Sequence, residues 1–111
     1  MPGYKLQYTY APQYPKGSTI EERFRLFHRN NPHVATKLRA MALELKRAGH
    51  EHYGIKALIE ILRWTYAVRT VSADFKINNH FAKRYAHLLM DTTPELRGFF
   101  RTRQTKETHN V

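Results

Sequence analysis

Apolar residues recur at helical spacing through most of this chain. The segment Ser18-Thr19-Ile20-Glu21 matches a capping box, in which a hydroxyl and a carboxylate satisfy the free amides at the start of a helix. Ile20, Phe24 and Phe27 then fall at positions i, i+4 and i+7 and form one apolar stripe. The pattern therefore predicts a first helix from this cap, with Ser18 as the capping residue, to about Asn30.

Two longer amphipathic segments follow. Asn31-Pro32 places an N-cap before a proline at the first helical position, where the missing amide costs nothing. This predicts a second helix from Pro32 to about Ala48, and Gly49 suits a left-handed C-terminal cap. A third helix is predicted from about Gly54 to Arg69. The inward positions predicted for these two helices are Val34, Leu38, Met41, Leu45, Ile55, Leu58, Ile59, Leu62 and Tyr66.

The third helix is the most apolar of the predicted elements. Trp64, Ala67 and Val68 widen its apolar face, which predicts a central helix in contact with several others. Trp64 lies off the main stripe, so it is the aromatic residue expected to meet the N-terminal residues or a partner. The other aromatic residues expected in the core are Phe24, Phe27, Phe75, Phe81, Tyr85, Phe99 and Phe100.

The helical period is interrupted between Thr70 and Asn78. The apolar residues alternate briefly there, which predicts a short strand or an extended loop. Asn78 or Asn79 is expected to cap a fourth helix that ends near Met90. Pro94 is expected to begin a short fifth helix, through which Leu96, Phe99 and Phe100 reach the core.

These elements predict a mostly α-helical, single compact domain of four to five helices with one short extended segment. Residues 1–17 are rich in tyrosine and proline and are expected to form an extended N-terminal arm. The helical domain is assigned to residues 18–101. Residues 102–111 are expected to form a polar C-terminal tail.

Composition narrows the class of partner. With 41% apolar and 25% charged residues, the chain has a globular rather than a disordered composition. Its 19 Lys and Arg against 9 Asp and Glu give a formal net charge of +10, spread along the whole chain. Such a domain presents a broad positive potential that attracts polyanions. The partner is therefore expected to be nucleic acid, with DNA favoured over RNA, or an acidic protein surface.

Other features of the composition indicate the cellular compartment in which the protein is expected. Cysteine is absent, which excludes disulfides and thiolate metal sites. No stretch approaches the roughly 20 apolar residues that a membrane span requires, and the first residues lack the apolar block of a signal peptide. A cytoplasmic protein without a membrane partner is therefore expected.

The third and fourth helices suggest a helix-turn-helix or winged-helix derivative. The connector between them is longer than the three or four residues of a compact helix-turn-helix, and a capped helix follows where a winged helix has a β-hairpin. In such a unit the second helix contacts base edges and flanking cations hold phosphates. The predicted base-contacting residues are Asn79, His80, Lys83, Arg84 and His87, and the predicted phosphate-binding residues are Arg63, Arg69 and Lys76. The alternative is that this basic helix face is simply solvated.

Catalytic and metal-binding patterns are weak. His50-Glu51-His52 could share a metal ion only with a third protein ligand, and no H-E-x-x-H spacing occurs. His50, His52 and Lys56 could in principle serve a metal-independent ribonuclease, but their proximity is expected by chance in a chain with seven His. We therefore predict no catalytic residues, no metal ligands and no cofactor.

From about Ile20 to Arg103 the chain resembles a family of small proteins encoded by bacteriophages and prophages. The features that carry this resemblance are Arg63-Trp64, Arg69-Thr70, Phe75-Lys76, Asn78-Asn79, Tyr85-Ala86 and Phe99-Phe100. No activity is established for that family, so the resemblance implies a viral setting, the cytoplasm of an infected or lysogenic bacterial host, and little chemistry.

The sequence leaves two functions open. The first is a non-enzymatic DNA-binding protein that acts through its basic fourth helix, as a monomer or a homodimer. The second is a small phage inhibitor or accessory protein that binds a host or viral protein through its basic surface and N-terminal arm.

Overall fold

The computed structural model describes residues 13–69 and 79–101, which form four α-helices and two short 3-10 turns. The helices are α1 (Ile20–Asn30), α2 (Pro32–Arg47), α3 (Ile55–Arg69) and α4 (Ala82–Thr92), and the 3-10 turns are Asn79–Phe81 and Pro94–Leu96. No strand occurs in this described part. The mostly α-helical, single-domain fold is confirmed. The predicted extended segment between Thr70 and Asn78, the first twelve residues of the arm and the tail lie outside the described residues.

The cap of α1 lies one residue later than predicted. The Thr19 hydroxyl accepts a hydrogen bond from the amide of Glu22 at 3.1 Å, and the Glu22 carboxylate accepts one from the amide of Thr19 at 2.8 Å. Ser18 instead donates its hydroxyl to the carbonyl of Pro15 at 2.7 Å. The prediction of Ser18 as the cap was therefore wrong. Ser18 and Thr19 are each followed three residues later by glutamate, so the capping-box pattern could not separate them.

A buried asparagine joins α1 to α2. Asn31 is fully buried, and its backbone amide donates to the carbonyl of Phe27 at 2.8 Å. Its side-chain amide donates to the same carbonyl at 3.0 Å and makes no capping hydrogen bond to α2. Asn31 thus occupies the predicted N-cap position, but its side chain closes the end of α1 instead.

The end of α2 follows the prediction. Gly49 adopts a left-handed conformation with φ of +108°, which residues with a Cβ rarely adopt. The amide of His50 donates to the carbonyl of Leu45 at 3.1 Å, and the amide of Gly49 donates to the carbonyl of Lys46 at 3.0 Å. These two bonds form a Schellman motif.

Aromatic side chains join α1 to α4 in the core. The Phe24 ring meets the Tyr85 ring edge-on at a centroid distance of 4.8 Å, and the Phe27 and Phe81 centroids are 5.3 Å apart. The buried apolar residues are Phe24, Phe27, Val34, Ala35, Leu38, Ala42, Ile55, Leu58, Ile59, Leu62, Phe81, Ala82, Tyr85, Ala86, Leu89, Leu96, Phe99 and Phe100. Most of the predicted inward positions belong to this set, whereas Met41 and Leu45 are half-buried and the side chain of Tyr66 lies outside the described part of the chain.

Helix α3 corrects one prediction about packing. It contacts α2 and α4 through its buried face, but Trp64 and Val68 are 67% and 62% exposed. Trp64 and Val68, which were expected to widen the buried face, therefore lie on an exposed face of α3, and the side chain of Ala67 lies outside the described part of the chain. Trp64 is not among the residues of the buried core. Of the other aromatic residues expected there, Phe75 lies outside the described part of the chain.

The ends of α4 differ from the prediction. A 3-10 turn that begins at Asn79 leads into the helix, whose N-cap position is occupied by Phe81, and the helix continues to Thr92 rather than ending near Met90. Asn78 and the side chain of Asn79, the two predicted caps, lie outside the described part of the chain. Arg39 of α2 fixes this end, because its guanidinium donates to the hydroxyls of Thr93 at 2.8 Å and Thr92 at 3.3 Å.

The predicted fifth helix is a single 3-10 turn. Pro94–Leu96 is followed by Gly98 in a left-handed conformation with φ of +77°, which does not continue a helix. Leu96, Phe99 and Phe100 are nevertheless buried, as the sequence predicted.

We expect Tyr85→Phe to stabilise the protein. Tyr85 is fully buried, and its hydroxyl has no hydrogen-bond partner among the described residues. Burial also raises the pKa of this phenol, with the neighbouring Tyr14 adding to the shift. A buried, unsatisfied polar group costs about 1–3 kcal/mol, so removing it should raise the free energy of unfolding by about 1 kcal/mol. Urea denaturation of the two proteins measures this difference. A less stable variant would show that the hydroxyl has a partner.

Candidate nucleic-acid interface

A groove of about 720 Å³ lies between α1 and α4. We call it the α1–α4 groove. Phe24, His28 and Leu88 supply its apolar and aromatic surface. The titratable residues that complete the lining are Glu21, Arg25, Arg29, Lys83, Arg84, His87 and Asp91. Four cations and two carboxylates therefore face one concave surface.

Helical spacing places basic side chains of the lining along two walls. Arg25 and Arg29 are one turn apart on α1, and Lys83 and His87 are one turn apart on α4. Residues four apart on a helix lie on the same face, about 6 Å apart along the axis. Each wall thus carries two basic side chains that point the same way, and all four of these residues are exposed.

Glu21 neutralises part of this charge. Its carboxylate lies 3.1 Å from the Arg84 guanidinium and 3.7 Å from that of Arg25. Arg84 also donates to the carbonyl of His80 at 3.4 Å, so it is held against the protein surface. By contrast, Arg29 and Lys83 form no ion pair with any other residue that the structure describes. The groove therefore has four cations against the two carboxylates of Glu21 and Asp91, and Arg29 and Lys83 are the cations without an ion pair among the described residues.

His28 links the groove to the core. Its ring stacks on Phe24 with a centroid distance of 6.0 Å and an interplanar angle of 5°. Its Nδ1 atom is buried and has no hydrogen-bond partner among the described residues. Burial lowers the pKa of His28, and the positive charge of Arg39 lowers it further. This environment therefore favours the neutral imidazole of His28 in the folded protein.

This environment predicts a pH-dependent stability. Because the pKa of His28 is lowered in the folded state, the unfolded chain binds more protons below about pH 6.5. Above that pH, protonation of His28 does not reduce the free energy of unfolding. Below it, the free energy of unfolding decreases as the pH falls toward the lowered pKa of His28. The melting temperature should therefore decrease from about pH 7.5 to about pH 5.5, and His28→Gln should remove part of that decrease. The control His52→Gln, at an exposed residue, should leave the decrease unchanged. An unchanged decrease in His28→Gln would contradict this assignment.

The structure brings together only part of the predicted site. Lys83, Arg84 and His87 line the α1–α4 groove, and His80 is exposed in the turn that precedes α4. Arg63 lies on α3, where its guanidinium is 2.7 Å from the Glu60 carboxylate, and it does not line the groove. Lys76 and the side chains of Arg69 and Asn79 lie outside the described part of the chain.

Sequence reasoning missed the contribution of α1. Arg25 and Arg29 were not among the predicted site residues, although they face the cations of α4 across the groove. Their one-turn spacing on a single face of α1 was a visible signal. The sequence did not show, however, that this face lies beside α4.

The described residues were also compared with the patterns of metal clusters and membrane-spanning helices. No three His, Asp or Glu side chains within them lie close enough to hold a metal ion. The imidazole of His50 instead meets the ring of Tyr53 at a centroid distance of 5.8 Å. None of the described helices is long and apolar enough to cross a membrane.

Comparisons with known proteins provide no family or relative from which a function could be assigned. No family model matches the chain, and neither the curated proteins nor the solved structures include a significant match.

Proposed function

We propose that this protein is a non-enzymatic nucleic-acid-binding protein that binds DNA through the α1–α4 groove. The observation that carries the proposal is the convergence of cations from two helices on one concave surface. Arg29 on one wall and Lys83 on the other remain without an ion-pair partner among the described residues. Unpaired cations on a surface of positive potential favour phosphate contacts through release of counterions.

Each group of residues has a distinct role in this proposal. Arg25, Arg29 and Lys83 contact phosphates and fix the position of the protein on the nucleic acid. His80 and Asn79, at the start of the α4 region, and His87, one turn after Lys83, are the candidates for contacts with base edges. Arg84 is held by Glu21 and mainly keeps α1 beside α4. The setting proposed for this activity is the cytoplasm of an infected or lysogenic bacterium.

Fluorescence anisotropy with labelled duplex DNA, single-stranded DNA and RNA tests the proposal. For a protein that neutralises phosphates, the logarithm of the binding constant decreases linearly with the logarithm of salt concentration between about 50 and 200 mM. We expect this dependence for DNA, with weaker binding to RNA of the same sequence. Binding that is absent at low salt would overturn the proposal.

A second candidate function is binding of an acidic protein surface. The observation that favours it is the apolar surface that Phe24 and Leu88 form at the base of the groove, here called the floor. Phosphate groups would make no favourable contact with this floor. An apolar side chain flanked by Asp and Glu would contact both the floor and the cationic walls. Capture of host proteins from a lysate, with and without nuclease treatment, separates the two functions. Capture mediated by nucleic acid is lost after nuclease treatment, whereas capture of a direct protein partner is retained.

A further inference from the structure

The floor of the α1–α4 groove has no role in the binding of phosphates. Leu88 is half-buried and Phe24 is 6% exposed, so both present apolar surface to the groove. His28 is also half-buried, and its ring lies parallel to the Phe24 ring at a centroid distance of 6.0 Å. The groove thus combines two cationic walls with an apolar floor and a flat imidazole ring beside it.

The walls of the groove carry an excess of positive charge. Four cations line the groove against the two carboxylates of Glu21 and Asp91. Glu21 is paired with Arg84 and Arg25. Asp91 lies about 12 Å from Lys83 along the axis of α4, at a rise of 1.5 Å per residue. The groove therefore fits an occupant whose anionic groups lie close to a flat, apolar group.

A nucleotide has this chemistry, but a paired duplex does not present it. In a duplex the bases are stacked on one another and offer only their edges in the grooves of the DNA. The face of a base becomes available when the nucleotide is unpaired, and it then stacks on aromatic side chains. The α1–α4 groove, at about 720 Å³, lies within the range of about 300–1,000 Å³ that holds a small ligand. It therefore accommodates a nucleotide and not the body of a duplex.

From the flat ring and the apolar floor between cationic walls we infer that the α1–α4 groove binds an unpaired nucleotide of a DNA strand. The base lies against His28 and Leu88, and the flanking phosphates contact Arg29 and Lys83. Because the base is held by its face, bases of different identity are accepted. This inference rests on the proposed nucleic-acid binding and specifies which form of DNA fills the groove.

Anisotropy titrations with three DNA duplexes of one sequence test this inference. The first duplex is fully paired, the second contains one extra adenine nucleotide without a partner, and the third has an abasic site in place of that adenine. The second and third duplexes carry the same number of phosphates, so only the base distinguishes them. We expect the unpaired adenine to strengthen binding about fivefold or more over the abasic duplex, which should bind like the paired one.

The possible outcomes separate this inference from the proposed function. Equal affinities for the adenine and abasic duplexes would overturn the inference alone, and the floor would then suit an apolar side chain of an acidic protein. Failure of all three duplexes to bind would overturn the proposed function and the inference with it. Adenosine monophosphate should compete about tenfold or more less strongly than the adenine duplex, because it lacks flanking phosphates. Competition at equal concentration would assign the groove to a free nucleotide.

Substitutions at His28 measure the contribution of its ring. His28→Ala removes the flat surface and should reduce the preference for the adenine duplex over the abasic duplex to less than about twofold. His28→Phe keeps a flat ring and should retain the preference, as should the control His52→Ala at an exposed histidine. Because the preference is a ratio of two affinities of the same variant, a partial loss of folding does not alter it. An unchanged preference in His28→Ala would contradict the placement of the base against this ring.

Discussion

Replacing Arg29 and Lys83 by glutamate is expected to weaken DNA binding by about 100-fold at low salt. Each substitution removes a cation without an ion-pair partner from one wall of the α1–α4 groove and introduces a negative charge that repels phosphate. The slope of the logarithm of the binding constant against the logarithm of salt should also decrease by about 2, one for each phosphate that the variant no longer neutralises. Anisotropy titrations over a range of salt concentrations measure both quantities.

A matched control separates groove chemistry from overall charge. Lys37→Glu with Lys46→Glu changes the net charge by the same amount, and both lysines are exposed on α2 rather than in the groove. This control should lose less than about tenfold in affinity and keep most of the salt dependence. Arg84 is unsuitable for the comparison because its ion pair with Glu21 also joins α4 to α1. Equal losses in the two double variants would contradict a localised interface.

The largest effect on stability is expected from Phe27→Ala. Phe27 is 2% exposed, and its ring lies beside that of Phe81, with centroids 5.3 Å apart. Truncating a buried phenylalanine removes apolar contacts and leaves a cavity, which typically costs about 3–5 kcal/mol. Because this contact helps to hold α1 against the α4 region, the groove should also lose its shape. Urea denaturation followed by circular dichroism measures the decrease in unfolding free energy.

The control for this substitution lies on the same helix. Leu26 is only half-buried, so Leu26→Ala removes a similar apolar side chain with much less loss of packing. It should cost less than half as much as Phe27→Ala. A comparable cost for the two variants would show that the contact between Phe27 and Phe81 does not dominate the packing of α1.

Periodicity predicted the helices because their buried faces are long and regular. The stripe of Val34 and Leu38 in α2 and that of Leu58 and Leu62 in α3 are buried as expected. The end of α2 was also predictable, since a glycine after the last turn satisfies the geometry of a left-handed cap. These features depend on neighbours in the sequence, and local physical rules are sufficient for them.

The predictions that were wrong depend on tertiary contacts. Trp64 and Val68 were expected to widen the buried face of α3, and only the packing of α3 against α2 and α4 shows that they face outward. At the end of α4, Thr92 and Thr93 accept hydrogen bonds from Arg39 of another helix, a contact that local spacing does not show.

The candidate site was also predictable only in part. The basic face of α4 was visible in the sequence, whereas the opposite wall of the groove was not. Glu21 and Arg84 are 63 residues apart, so neither the neutralisation of Arg84 nor the approach of Arg29 to Lys83 could be derived from local spacing. The charge of a single helix is thus predictable, but the surface that two helices form together requires the fold.

The most direct test of the central claim is an NMR titration of the ¹⁵N-labelled protein with a short DNA duplex. Chemical-shift changes show where the nucleic acid contacts the protein without altering any residue. We predict that the largest changes concentrate on the groove-facing residues of α1 and α4, around Arg25, Arg29, Lys83 and His87, while the exposed lysines of α2 change little. Changes centred on α2, or none at concentrations where polyanions bind, would contradict the α1–α4 groove as the nucleic-acid interface.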